Sequence, residues 1–166
     1  MSVLASQKRD SKLLVLAHAE KLRDVIVNLK QRNFGVKTKR LHLRSRYIYN
    51  DIDTDEQFEK RMFMLVELGK QADQLTLGII ADMRGANSVS YPVTLGEYET
   101  RRQYMTEGIV KCEQLKGILQ EIARSYDVDI NVYRIPIEEI NKQKALITKW
   151  RQSDNRIRRR FGASTI

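Results

Sequence analysis

The chain is poor in the residues that would build anything other than helices. Its single cysteine, Cys112, excludes an internal disulfide framework and a cysteine-rich zinc site. Two prolines and eight glycines in 166 residues leave little material for the turns of a β architecture. No apolar run approaches the roughly 18 residues that a membrane span needs. The first ten residues, Met1 to Asp10, carry no secretory signal pattern, so the cytoplasm is the expected compartment.

Chemistry-bearing motifs are scarce too. A nucleophile–base pair needs a histidine near a serine or cysteine. The two histidines are His18, inside a predicted helix, and His42, inside a basic connection, while Cys112 falls on a predicted core stripe where it serves as a small hydrophobe. Neither a G-x-x-x-x-G-K-[ST] loop nor a G-x-G-x-x-G turn occurs. Asp51, Asp53 and Asp55 begin like a calcium loop, but Glu56 and Met62 stand at the sixth and twelfth positions, where glycine and glutamate are required. Acids there suit the start of a helix instead. The expectation is a protein without catalytic residues, metal site or cofactor.

What the chain has in quantity is positive charge, unevenly placed. It totals +9, yet two windows carry +7 each: Lys30 to Arg46, with no acid, and Lys142 to Arg160, with Asp154 alone. The remainder is therefore net acidic, at −5. Such polarity is expected of a phosphate-backbone binder.

Apolar spacing predicts four helices. The first runs from about Ser11, where Ser11 and Asp10 compete as cap, to Gln31, with Val15, Leu22, Ile26 and Leu29 on one side. The second opens on a Thr54–Gln57 capping box and carries a 4-3-4-3-4-3-4 seam of Phe58, Met62, Leu65, Gly69, Ala72, Thr76, Ile79 and Met83, stopped by Gly85 and Asn87. The third opens on Thr94–Glu97, with a stripe of Met105, Ile109, Cys112, Leu115, Leu119, Ile122 and Tyr126. The fourth starts at Pro136 and buries Ile140, Ile147, Trp150, Asp154, Ile157 and Phe161, with a polar gap near Lys144. The predicted fold is all-α, an antiparallel four-helix bundle forming one domain over residues 1–166, with disordered ends at 1–10 and 162–166. The Gly35 to Asp53 connection between the first two helices is long and basic, and Leu41, Leu43 and Tyr47 alternate in it as in an extended ribbon; the stretch from Asp127 to Ile135 also suits extended chain. Gly69 and Gly78, and Gly108 and Gly117, share a nine-residue spacing that close helix contact or chance would explain.

Asp154 would be costly if buried alone and is expected to pair with an arginine from another helix. Around its stripe, Lys149, Arg156 and Arg160 line one flank and Arg151 and Arg158 the other, with Arg159 beside them. Arginine's planar fork suits phosphate. The connection adds Lys37, Lys39, Arg40, Arg44 and Arg46, with Tyr47 and Tyr49 near enough to stack on bases. A solvated loop is the alternative there.

The stretch Arg84-Gly85-Ala86-Asn87-Ser88-Val89-Ser90-Tyr91-Pro92, then Glu99-Thr100-Arg101-Arg102-Gln103-Tyr104, Cys112 and the closing Lys149-Trp150-Arg151-Gln152-Ser153-Asp154-Asn155-Arg156, resembles the accessory variability determinant proteins of diversity-generating retroelements. These are small basic bundles related to the ribosomal intervening-sequence four-helix proteins. The resemblance covers about Thr54 to Phe161 and adds Arg101 and Arg102 to the candidate nucleic-acid contacts. It implies a pentameric homo-oligomer that binds a reverse transcriptase and helps engage template RNA during adenine-mutagenising cDNA synthesis, with no catalytic site of its own. The long basic connection departs from that pattern. A structural or assembly protein of a phage or mobile element, with its charge serving protein partners, is the alternative.

Overall fold

The protein is all-helical, and a computed structural model describes residues 3–37, 54–89, 91–126 and 128–162. The described residues hold four long helices: α1 (Val3–Gln31), α2 (Thr54–Ser88), α3 (Leu95–Ser125) and α4 (Arg134–Gly162). Helix α1 thus begins at Val3 rather than at Ser11, and Gly162 still belongs to α4, so helix reaches into both ends that were expected to be disordered. The expected ribbon within residues 38–53 and the Thr54–Gln57 capping box lie outside the described residues and side chains. Helices α1 and α3 each pack against both α2 and α4, around one shared core.

The seam of α2 is buried as its spacing requires. Leu65, Ala72, Thr76, Ile79 and Met83 are all within the core, and Phe58 and Met62 pack against its edge. From α3, Met105, Cys112, Leu115, Leu119 and Ile122 face them, and Ile140 and Ile147 close the layer from α4. Each fully buried leucine or isoleucine stabilises by about 1.5–3 kcal/mol relative to exposure. Thr94 caps α3 with a complete box: its hydroxyl accepts from the Glu97 amide, and the Glu97 carboxylate accepts from the Thr94 amide, each at 3.2 Å.

Packing bears on three of these readings. Gly85 does not end α2: the helix runs on to Ser88, and the glycine instead lies under the Tyr104 ring, where a Cβ would fall 2.7 Å from Cε1. Close approach does explain Gly108, whose missing Cβ makes room for the Met83 and Ile147 side chains, but Gly117 faces open space. Helix α4 starts at Arg134, and the stretch before it holds a 3₁₀ turn (Ile130–Tyr133) and one bridge between Val36 and Val128 instead of a strand. Pro136 therefore sits in the first turn, where an amide would have had no intrahelical partner.

The polar gap in the α4 stripe is filled by Gln143, which is fully buried. Its Nε2 donates to the Val15 carbonyl at 3.2 Å, and its Oε1 meets His18 Nδ1 at 2.7 Å. The other ring nitrogen of His18 lies 2.6 Å from Glu139, which also accepts from Lys21 at 2.9 Å. The Lys21 hydrogen bond, then that of His18, holds the Glu139 carboxyl below its ordinary range against the opposing effect of burial. This layer ties α1 to α4 and satisfies buried groups that would otherwise cost about 1–3 kcal/mol each.

Helix α1 ends in a tight reversal. Asn33, Phe34 and Gly35 all have positive φ, at 49°, 54° and 72°. For phenylalanine that conformation is strained, and burial compensates: its ring packs on Gly69 of α2, and its carbonyl accepts from the Tyr133 hydroxyl at 2.8 Å.

Candidate nucleic-acid interface

A residue on an α-helix turns by 100° from its predecessor, so positions seven apart nearly align. Ile140, Ile147, Trp150 and Asp154 point α4 inward. The opposite face must then carry Lys142, Lys149 and Arg156, joined by Gln152, Arg159 and Arg160 on its flanks. All six are exposed. From Lys142 to Arg160 this face runs for roughly 27 Å, at 1.5 Å per residue. Arg158 is exposed as well.

What these cations share is that they follow one another along a single helix without acids beside them. Other basic groups are matched, among them Lys30 with Asp73, Arg84 with Glu20, Lys111 with Asp82 and Arg124 with Glu121, and on α4 itself Arg134 with Glu138 and Lys144 with Glu113. Lys142, Lys149, Arg156, Arg158 and Arg159 have no acidic partner among the described residues. Exposed pairs contribute only about 0–1 kcal/mol to stability, but they cancel charge. At these five positions of α4 the charge is left standing.

The remaining candidates divide. Arg151 is half-buried, with Nη1 3.4 Å from the Thr106 hydroxyl. Arg102 is half-buried too, and its Nη1 donates to the Tyr98 hydroxyl and the Asn155 carbonyl, both at 3.1 Å. Both border the arginine end of α4. Lys37 is exposed but stands beyond the end of α1, where Phe34 meets Tyr133 at the start of α4, so it does not join the arginines at the other end of that helix. Lys39, Arg40, Arg44 and Arg46 lie outside the described residues.

Arg101 is removed from the contact set. It is 2% exposed, and its Nε and Nη2 reach the two carboxylate oxygens of Asp154 at 2.8 and 2.9 Å. Its Nη1 donates to the Val89 carbonyl at 3.2 Å, and its guanidinium lies 5.1 Å from the centre of the Trp150 ring. Asp154 thus has the cross-helix arginine that its place on the stripe demanded. Burial pulls the Arg101 guanidinium below its usual range, and the Asp154 charge opposes that shift. Lys142 shares the exposed face with Lys149 and Arg156 and was not among the candidates; its seven-residue spacing from Lys149 was the available signal.

Cys112 lies wholly inside the core, and burial pushes its thiol up to about 12. Thiolate is the reactive species. At pH 8 the native chain is therefore expected to take up iodoacetamide at least about 100-fold more slowly than the urea-unfolded chain. Mass spectrometry of timed samples checks this, and equal rates would mean that the core opens freely around α3.

Among the described residues no helix is long and apolar enough to cross a membrane. No protein-family model, curated protein or solved structure matches the chain.

Proposed function

We propose that this is a non-enzymatic basic accessory protein that binds nucleic acid along α4 through phosphate contacts. The observation that carries the reading is the row Lys142, Lys149, Arg156 and Arg159, exposed along the outward face of α4 and without acidic partners among the described residues. Counterions gathered on such a face are released, along with those of the nucleic acid, when phosphates replace them.

The finer assignments extend this reading. The helices form an antiparallel bundle with a long basic connection from α1 to α2. Cross-helix pairs support that order: Glu20 meets Arg84 while Lys30 meets Asp73, and Lys111 meets Asp82 while Tyr126 meets Arg61. Partner numbers fall along one helix as they rise along its neighbour. The resemblance to accessory variability determinant proteins supports a cytoplasmic pentamer that serves the reverse transcriptase of a diversity-generating retroelement and engages its template RNA or cDNA.

Phe63, Met64 and Val66, exposed together on α2, favour a second reading, an assembly protein of a phage or mobile element with protein partners.

A salt titration separates the two. With five to six phosphates engaged, log K against log salt is expected to fall with a slope of about −5 on duplex and about −4 on a single strand. A flat dependence, or no binding at low salt, removes the nucleic-acid reading.

A further inference from the structure

We propose that the buried Arg101–Asp154 pair fixes the binding pose of the arginine segment of α4, which makes both residues positioning residues for the interface. This rests on the reading of α4 as that interface.

The segment from Asn155 to Gly162 carries four arginines and no acid. Like charges three and four apart on a helix weaken it, and a helix end frays readily. This stretch would be the first part of the fold to lose order. It is gripped immediately upstream. The Arg101 fork closes on both oxygens of Asp154, reaches back to the Val89 carbonyl and lies against Trp150. One guanidinium thereby joins the chain following α2, the first turns of α3 and the last turns of α4. Two lighter contacts continue the grip: Arg102 on Asn155, and the Tyr98 ring 6.4 Å from that of Phe161. A guanidinium that meets both carboxylate oxygens, Nη2 by a hydrogen bond and Nε by ion-pair contact, fixes direction as well as distance, so the turn that starts at Asp154 leaves the body at a set angle. Arginines already held in a row lose less freedom when phosphates arrive.

Charge and pose make opposite predictions for one substitution. Asp154→Asn deletes the sole acid of the basic window and raises the net charge by one. If the summed field governed affinity, binding would tighten. If pose governs it, binding to a 20-base-pair RNA duplex in 0.1 M salt weakens by about tenfold, with a shallower salt slope. Arg101→Lys keeps the charge but not the fork, and the same weakening is expected. Asp154→Glu, which keeps acid and fork, should recover part of it.

Amide hydrogen exchange on the full chain supplies the second readout. In the wild type, residues 155–162 are expected to be protected. In the two disrupting variants protection is lost there and retained in α1 to α3. Free exchange of residues 155–162 in the wild type overturns the proposal whether or not the variants fold, and so does unchanged or tighter binding by a folded Asp154→Asn or Arg101→Lys chain. If the wild type binds no duplex at any salt, it is the interface reading that has failed, and the exchange result still decides whether the pair orders the helix end.

Discussion

The chain in which Arg156, Arg158, Arg159 and Arg160 are all replaced by glutamine is expected to bind nucleic acid about three orders of magnitude more weakly than the wild type in 0.1 M salt. Each phosphate contact on duplex contributes a slope of about 0.9 in log K against log salt, which is nearly one decade of affinity per contact at that concentration. Without those four cations the slope should flatten by about three to four units. The fold should survive. All four side chains are exposed, and glutamine forms helix about as well as arginine. The loss of cations from the last turns of α4, where the dipole favours them, costs about 0.3–1 kcal/mol. Fluorescence anisotropy at several salt concentrations, with circular dichroism as the control, checks both halves. A helical variant with undiminished affinity would move the interface off α4.

The largest expected effect on stability belongs to Arg101. Substituting methionine leaves the Asp154 carboxylate, whose side chain is 10% exposed, without its counter-ion. It also strips the Val89 carbonyl of the Arg101 hydrogen bond. Breaking a buried pair from one side costs about 3–5 kcal/mol. That is a fifth or more of the roughly 5–15 kcal/mol that hold a domain of this kind together. Replacing both residues, Arg101→Met with Asp154→Leu, should recover most of the loss, since a well-packed apolar pair is often as stable as a buried ionic one. Urea unfolding of the two chains gives the comparison. A single-substitution loss under about 1 kcal/mol would show the pair to be far wetter than its 2% arginine exposure implies.

Arg101 also marks where sequence reasoning stopped short. Taken with the family pattern, Arg101 and Arg102 look alike and both stand among the candidate contacts. Read by period, they do not. The stripe of α3 extends backwards from Met105 through Arg101 to Tyr98 at spacings of four and three, which puts Arg101 on the buried face. The stripe of α4 was read far enough to include Asp154, and its need for an arginine was plain from the cost of burying a lone charge. That of α3, taken from Met105, begins one stripe position, four residues, too late to supply the partner. Periodicity served best where it was longest, along α2 from Leu65 to Met83. Gln143 was out of reach, since a polar side chain on a core stripe looks like a gap until its partner His18, 125 positions away, is seen to face it. Gly85 misled for a related reason. Glycine next to a turn signal reads as a stop, and only the Tyr104 ring lying over it shows that the helix needs the space.

The reversal at the end of α1 fastens three elements at one point. Phe34 is seated on α2, its carbonyl is bonded to the Tyr133 hydroxyl just ahead of α4, and Val36 bridges Val128. A positive φ at phenylalanine persists only while its surroundings over-determine it. Removing the Phe34 ring would therefore loosen the end of α1, the middle of α2 and the start of α4 together, so this end of the molecule opens as one unit rather than residue by residue.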